Sequence, residues 1–246
     1  EQTKQSRFRP NYPDLLGYFD DGNLKSLLMT GANLVPVNTS LIARQEFATA
    51  LNRSGRRSSS IVGPAEEVLD IWSRVSGTWG PARQVRANQP VMAMRSNSTV
   101  AIDHEVRYSN LSDLDELLPA CIAMFTEEVG ISPTLNGGGG AYRNRISELV
   151  SGRRSFVKYQ GTELIFKAEV GTVGAGVAQI QGVWVKPEYR GQGISVPAMA
   201  AVVKLVLADL APVVSLYVND YNEVALNSYR SVGFEQVDTF ATVLFN

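Results

Sequence analysis

The sequence is poor in the residues that most enzyme chemistries use. Its 246 residues include one cysteine, Cys121, and one histidine, His104. A single cysteine excludes an intrachain disulfide and a structural cysteine zinc site. A single histidine removes most Ser-His-Asp, Cys-His and multi-histidine metal chemistries, so no metal is expected. Any catalysis then falls to carboxylates, tyrosines, lysines or the backbone. No apolar run reaches the ~18 residues of a transmembrane helix, so no membrane partner is expected. The start Glu1-Gln2-Thr3-Lys4 lacks signal-peptide character, and a cytoplasmic location is the expectation. A formal net charge of -1 gives no bulk attraction to nucleic acid. The basic residues Lys4, Arg7 and Arg9, offset by Glu1, read as a solvated terminus rather than a nucleic-acid arm.

What is present fits a globular protein: 44% hydrophobic and 19% charged residues, with length for one large domain or two. Residues 1–18, with Pro10 and Pro13, read as an irregular lead-in. Leu24–Met29 and Asn33–Val37 read as strands about a Thr30-Gly31 turn. Ser40 caps a helix to Asn52, with Gly55 beyond its end. Ser58–Val62 is a strand, and Gly63-Pro64 opens a helix carrying Val68, Leu69, Ile71 and Trp72. Val85–Met94 supplies one or two strands interrupted at Pro90. Arg95-Ser96-Asn97-Ser98 is a linker, and the domain boundary is expected at 103/104.

The second half opens with the strand Val106–Tyr108. A helix follows, capped by Ser112 in a capping-box-like arrangement with Asp115, and Pro119 should kink or shorten it. Gly137–Gly140 lacks a following Lys-Ser/Thr, so it is no P-loop and reads as a flexible acceptor-side loop. Tyr142–Val150 is a helix. The strands Ser155–Tyr159, Glu163–Val170 and Ala178–Val185 follow, with a loop at Gly171–Gly176. This β-α-α-β-β-β order is an antiparallel meander after two helices. The helix Gly193–Leu210, the strand Val213–Val218, the helix Asn222–Ser231 closed by Gly233, and one or two strands over Gln236–Phe245 complete the chain. A mixed sheet with helices on both faces is the natural outcome.

The informative stretch is Gln181-Gly182-Val183-Trp184-Val185-Lys186-Pro187-Glu188-Tyr189-Arg190-Gly191-Gln192-Gly193-Ile194-Ser195. A buried strand ends, a short loop turns, and a helix opens at glycines. N–H groups at a helix start lack intrahelical acceptors, and the aligned peptide dipoles add positive charge there. Glycines let an anion approach that backbone closely, so the site suits a pyrophosphate. Arg190 adds a formal charge.

This segment resembles motif A of the GCN5-related N-acetyltransferase superfamily, (Arg/Gln)-x-x-Gly-x-(Gly/Ala) after Val-x-Pro-x-(Tyr/Phe). Arg190, Gly193 and Val185-Lys186-Pro187-Glu188-Tyr189 match; Ser195 departs from the final Gly/Ala but is small and keeps its N–H. Downstream, Leu216-Tyr217-Val218-Asn219, Asn222, Ala225, Tyr229 and Gly233-Phe234 resemble the family's Val-x-x-x-Asn-x-x-Ala-x-x-x-Tyr-x-x-x-Gly-Phe block. The resemblance implies that acetyl-CoA is the acyl donor. Val183, Trp184 and Val185 would pair through their backbone with the pantetheine arm, and a backbone N–H near Val183 or Trp184 would meet the oxyanion. Arg190, Gly191, Gln192, Gly193, Ile194 and Ser195 would hold the pyrophosphate. Asn219 and Asn222 would contact the coenzyme. Tyr229 would protonate the departing thiolate, a role suited to a phenol with an ordinary pKa near ~10.

Relatives often place a glutamate on the central strand as base. Here Gln179 and Gln181 occupy that strand. Glu169 on the preceding strand becomes the candidate base, and Glu127 and Glu128 are candidate acceptor-binding residues; a water chain or an acceptor of low pKa would remove the need for a base. The N-terminal half repeats the strand–glycine–helix idea at Ser60–Pro64 without the Arg-x-x-Gly-x-Gly signature. The expected fold is therefore α/β: a mixed α+β sheet in two tandem acetyltransferase-like domains, 1–103 degenerate and 104–246 active. The expected activity is N-acetylation of a primary amine on a small molecule or protein, by a monomer or homodimer. The glutamines leave open a non-catalytic CoA-binding sensor or scaffold.

Overall fold

A computed structural model describes residues 4–6 and 14–245. Along the chain come β1 (Lys4–Ser6), β2 (Asp14–Asp20), β3 (Asn23–Thr30), β4 (Asn33–Val37), α1 (Leu41–Ser54), β5 (Ser60–Pro64), α2 (Ala65–Trp79) and β6 (Gln84–Met94). Then follow β7 (Arg107–Tyr108), α3 (Leu114–Val129), α4 (Gly139–Ser151), β8 (Ser155–Gln160), β9 (Glu163–Gly174), β10 (Val177–Val185), α5 (Ser195–Asp209), β11 (Val213–Tyr217), α6 (Glu223–Val232) and β12 (Glu235–Leu244). The chain forms two compact units: residues 1–91, 217–221 and 237–246, and residues 92–216 and 222–236. Compactness does not follow the linear boundary expected at 103/104. The last strand joins the first unit, because Phe240–Leu244 pair with Pro64–Ser60.

In the first unit β1 to β4 pair antiparallel in succession, and β4 runs parallel to β5 across α1. Alternation puts Leu28, Leu34 and Ile61 on the face that meets Phe47, Leu51, Ile71 and Val243. Ser40 caps α1 by accepting from the Ala43 N–H (3.2 Å), and Gly55 at φ 72° ends it. The approach to α1 is closed by Glu67, from the first turn of α2. Its Oε2 accepts from the Thr39 N–H (3.0 Å) and hydroxyl (2.5 Å). On the neighbouring strands, a Cβ at Gly63 would lie 3.4 Å from the Pro36 ring, so these strands already touch there.

In the second unit β7, β8, β9 and β10 form an antiparallel meander, and β11 lies parallel to β10. Leu114, Leu117 and Cys121 of α3 and Ile146 and Leu149 of α4 pack on Val157, Leu164 and Trp184. Each unit is the mixed, mostly antiparallel sheet with helices that was expected.

Several local expectations need correction. The basic residues at Arg7 and Arg9 and the prolines Pro10 and Pro13 lie outside the described residues, but Asp14–Asp20 is a strand rather than irregular. It forms a hairpin with β3 through Asp21 (φ 46°) and Gly22 (φ 75°), the two positive-φ residues that suit a tight hairpin. β6 continues through Pro90, whose carbonyl accepts from the Val218 N–H (3.2 Å). Asn110, not Ser112, is the cap, and its partner is Asp113 on a 3-10 turn. α3 runs on through Pro119. Gly139 and Gly140 open α4 rather than forming a loop. β9 extends to Gly174, leaving only Ala175 (φ 49°) and Gly176 (φ 76°) as the turn into β10.

Candidate functional site

β10 is the strand from which the site is built. It pairs with β11 only over Val177–Gln179 and Val213–Ser215, where the ladder ends. On its other edge it pairs with β9, but Gln181 faces Glu169 while Trp184 faces Lys167. Three steps on β10 thus match two on β9, so β10 carries a one-residue bulge, with Gly182 in the left-handed region at φ 59°. Trp184 directs its side chain into the α3–α4 core. The Trp184 side chain is thus turned away from solvent, while Val183 and Val185 are partly exposed.

Beyond Val185 the chain makes a 3-10 turn, Pro187–Tyr189. Glu163 anchors it, forming an ion pair with Lys186 and accepting from the Tyr189 hydroxyl at 2.6 Å. Arg190 Nε donates to the Val185 carbonyl (2.9 Å), so the guanidinium is folded back along the strand end. Its other edge donates to Glu127 Oε2 at 2.8 Å, a pair half exposed on both sides. Glu127, expected on the acceptor side, is thus engaged by the loop arginine. Gln192 donates to the Glu188 carbonyl (3.0 Å). Gly191 and Gly193 both sit at φ 75°, and a Cβ on either would meet nothing within 4 Å. Their glycines serve backbone conformation, with open space above them.

α5 opens at Ser195, two residues later than expected, and Ile194 caps it with no side-chain hydrogen bond. No acidic residue lies in its first turn. The backbone N–H groups there lack intrahelical acceptors, except that Pro197 has no N–H to offer. Uncapped, and with no carboxylate in its first turn, this helix start has the backbone character that suits an anion. The corresponding entry to α1 in the first unit has Glu67 in place.

The remaining expected residues fall as follows. Asn222 caps α6, its Oδ1 accepting from the Ala225 N–H (3.2 Å). Asn219 belongs to the first unit, where Gln89 donates to its Oδ1 (2.9 Å). Tyr229 lies on α6, partly buried, with its ring edge-on to Phe234 at 6.0 Å. No hydrogen-bond partner meets its hydroxyl among the described residues. Burial, and then the Glu128 carboxylate, push this phenol above its ordinary range, so it is protonated throughout neutral pH.

Glu169 is buried, and its carboxylate is in an ion pair with Lys167, itself fully buried. Cys121 Sγ donates to Glu169 Oε1 (3.3 Å), and Lys167 Nζ donates to Cys121 Sγ (3.3 Å). Burial alone pushes the Glu169 carboxyl up, but the Lys167 ammonium outweighs it and holds it below the usual carboxylate range. Glu169 does lie opposite Gln181 across the ladder, as expected, but paired in this way it is a poor proton acceptor. Burial pushes the Cys121 thiol up to about 12, so it is an unreactive core thiol. Sequence reasoning missed Lys167 and gave Gly182, within the informative stretch, no role of its own. The signals were a Lys-x-Glu pair, which period two puts on one face, and a lone glycine within an apolar strand. A shallow hollow of about 510 Å³ in the same unit, lined by Glu105, Arg107, Asp113, Glu116 and Tyr159, includes none of the expected site residues.

Residues 141–234 match the model of the Acetyltransferase (GNAT) family, and residues 13–117 match that of a domain of unknown function, DUF4081. No curated protein matches the sequence. Among solved structures, a GNAT-family acetyltransferase from Colwellia psychrerythraea superposes with a TM-score of 0.61 at 12% identity, over 95% of this chain and 86% of that one. A GCN5-related N-acetyltransferase from Kribbella flavida gives 0.57 at 12% identity, over 99% and 89%. A tandem GNAT protein from the clavulanic acid biosynthesis pathway gives 0.54 at 13% identity, over 96% and 85%. At these identities the likeness is one of fold.

Proposed function

Taking residues 141–234 as a domain of the acetyltransferase (GNAT) family, we propose that this chain transfers the acetyl group of acetyl-CoA directly to a primary amine of a small molecule or protein. The observation that carries the reading is the anion seat at Arg190–Ser195: two left-handed glycines with open space above them, leading into an uncapped, acid-free helix start. A coenzyme pyrophosphate has the charge and size for it. The end of the β10–β11 ladder after Gln179 leaves strand edge on which an amide-bearing pantetheine arm can pair.

In the transfer, the amine nitrogen bonds to the thioester carbonyl carbon and the carbon–sulfur bond breaks. The Val183 N–H meets the developing charge on the carbonyl oxygen. Tyr229 gives its hydroxyl proton to the departing sulfur; it is protonated and has no internal partner to break from. Glu128, whose charge reaches Tyr229, faces the acceptor and attracts an ammonium group. The amine proton leaves through water, since Glu169 is bound to Lys167, and Tyr229 regains a proton from that water to close the cycle.

The test is thiol release from acetyl-CoA across an amine panel, with calorimetry of coenzyme binding. Tyr229→Phe is expected to lower kcat by about 10²–10⁴-fold while leaving binding unchanged. Coenzyme binding with no thiol release on any amine would favour a sensor or scaffold. Absence of binding would sink the coenzyme reading itself.

A further inference from the structure

A fully buried lysine paired with a buried glutamate lies directly against the backbone that the proposed reaction uses. Lys167 and Glu169 stand two residues apart on β9, so their side chains share one face. That face meets Cys121 of α3, which bridges the pair. The bulge of β10 rests on the same cluster. A Cβ built on Gly182 would lie 3.0 Å from Met124 Cε, 3.2 Å from Lys167 Nζ and 3.4 Å from the Glu169 carboxyl carbon. Gly182 therefore touches the charged pair through the space that any other residue's side chain would fill. The following residue, Val183, offers the N–H assigned above to the carbonyl oxygen.

Buried ion pairs add little net stability, and well-packed apolar residues usually replace them without loss. They do fix geometry, because each charge must stay within reach of the other. A one-residue bulge needs such fixing, since it interrupts the ladder that otherwise sets peptide orientation. Gln181, the residue before Gly182, pairs with Glu169 in the β9–β10 ladder, so the cluster lies against the strand on the near side of the bulge.

We propose that the buried Lys167–Glu169 pair, bridged by Cys121, is a positioning element for acyl transfer. It supports the Gly182 bulge from beneath and so sets the direction of the Val183 N–H. This rests on the coenzyme reading given above. Neither residue touches the reacting atoms.

The carbonyl stretch of bound, 13C-labelled acetyl-CoA reports that N–H without needing to know the acceptor. A well-aimed donor lowers the stretch relative to free acetyl-CoA. The comparison is wild type against Lys167→Met/Glu169→Gln, a neutral pair of similar volume, with calorimetry run in parallel. The expected result is a lowered stretch in wild type that is lost in the double variant, while acetyl-CoA affinity stays within about twofold. A double variant that folds, binds and keeps the wild-type stretch would overturn the proposal, as would a wild type that binds with no lowering. A wild type that fails to bind refutes the coenzyme reading instead, and calorimetry separates that case. Should the double variant not fold, Gly182→Ala perturbs the same contact from the β10 side. It is expected to lose the stretch shift at unchanged affinity, and retention of the shift there refutes the positioning role.

Discussion

Removing one member of the Lys167–Glu169 pair exposes how strongly burial governs it. Both side chains are nearly inaccessible, at 0% and 5%. Solvent screening that makes surface pairs weak does not operate. Lys167→Met leaves a carboxylate, and Glu169→Gln an ammonium, without its counter-charge. Each is expected to destabilise by about 3–5 kcal/mol at pH 7. For a chain of this size about 2–4 °C of Tm accompanies each kcal/mol, so a fall of roughly 6–20 °C should appear by circular dichroism.

The pH dependence separates the two variants. In Lys167→Met, Glu169 loses the ammonium that held it low, and burial raises its folded pKa above the ordinary ~4.3. The penalty is absent below that value and grows as pH rises towards the new folded pKa. In Glu169→Gln, burial lowers the Lys167 pKa beneath ~10.4. The penalty is absent above that value and grows as pH falls towards the folded pKa. Stability relative to wild type thus slopes downward with rising pH in the first variant and upward in the second. Parallel slopes, or losses under about 1 kcal/mol in both, would refute the buried-pair reasoning.

Three further outcomes are expected. Gly193→Ala must adopt a left-handed conformation at φ 75° with no steric clash to confuse the reading. Acetyl-CoA affinity should fall about tenfold by calorimetry, since the strain is about 1–2 kcal/mol. Glu127→Gln releases the half-exposed Arg190. Stability should change by less than about 1 kcal/mol, while acetyl-CoA binds severalfold tighter at low ionic strength and the gain fades with added salt. Glu67→Ala leaves the Thr39 N–H and hydroxyl without their acceptor, and thermal melts should show a loss of about 1–3 kcal/mol.

Periodicity and caps made much of this fold legible. Ser40 and Gly55 bound α1, Asn222 and Gly233 bound α6, and the β8–β10 meander follows from its turn residues. The Asp21-Gly22 hairpin was equally readable, but the prolines before it argued for irregular chain. At Gly139-Gly140, glycine's weak helix propensity argued for a loop, whereas α4 gains its stability from burying Ile146, Leu149 and Val150. The strand–glycine–helix joint at Gly191–Ser195 was readable because it depends on local backbone chemistry. The Lys167–Glu169–Cys121 cluster was not, since it depends on β9 and α3 meeting across 46 and 48 positions of sequence. The Arg190–Glu127 pair likewise spans 63 positions, so no local pattern announces it.

The carboxylate of Glu67 at the entry to α1 bears on how the chain responds to its surroundings. Tethered groups act at effective concentrations of roughly millimolar or more, so a dissolved anion must outcompete a partner that never diffuses away. The folding of that segment is then expected to be insensitive to dissolved anions. At α5 no such internal occupant is found among the described residues, and an anion held at a hundred times its Kd would add about 2.7 kcal/mol to whatever part of the chain it binds. The two helix starts, one capped by Ser40 and one without a side-chain cap, would then report differently on the same solution: one insulated, the other a gauge of ligand abundance written in thermal stability.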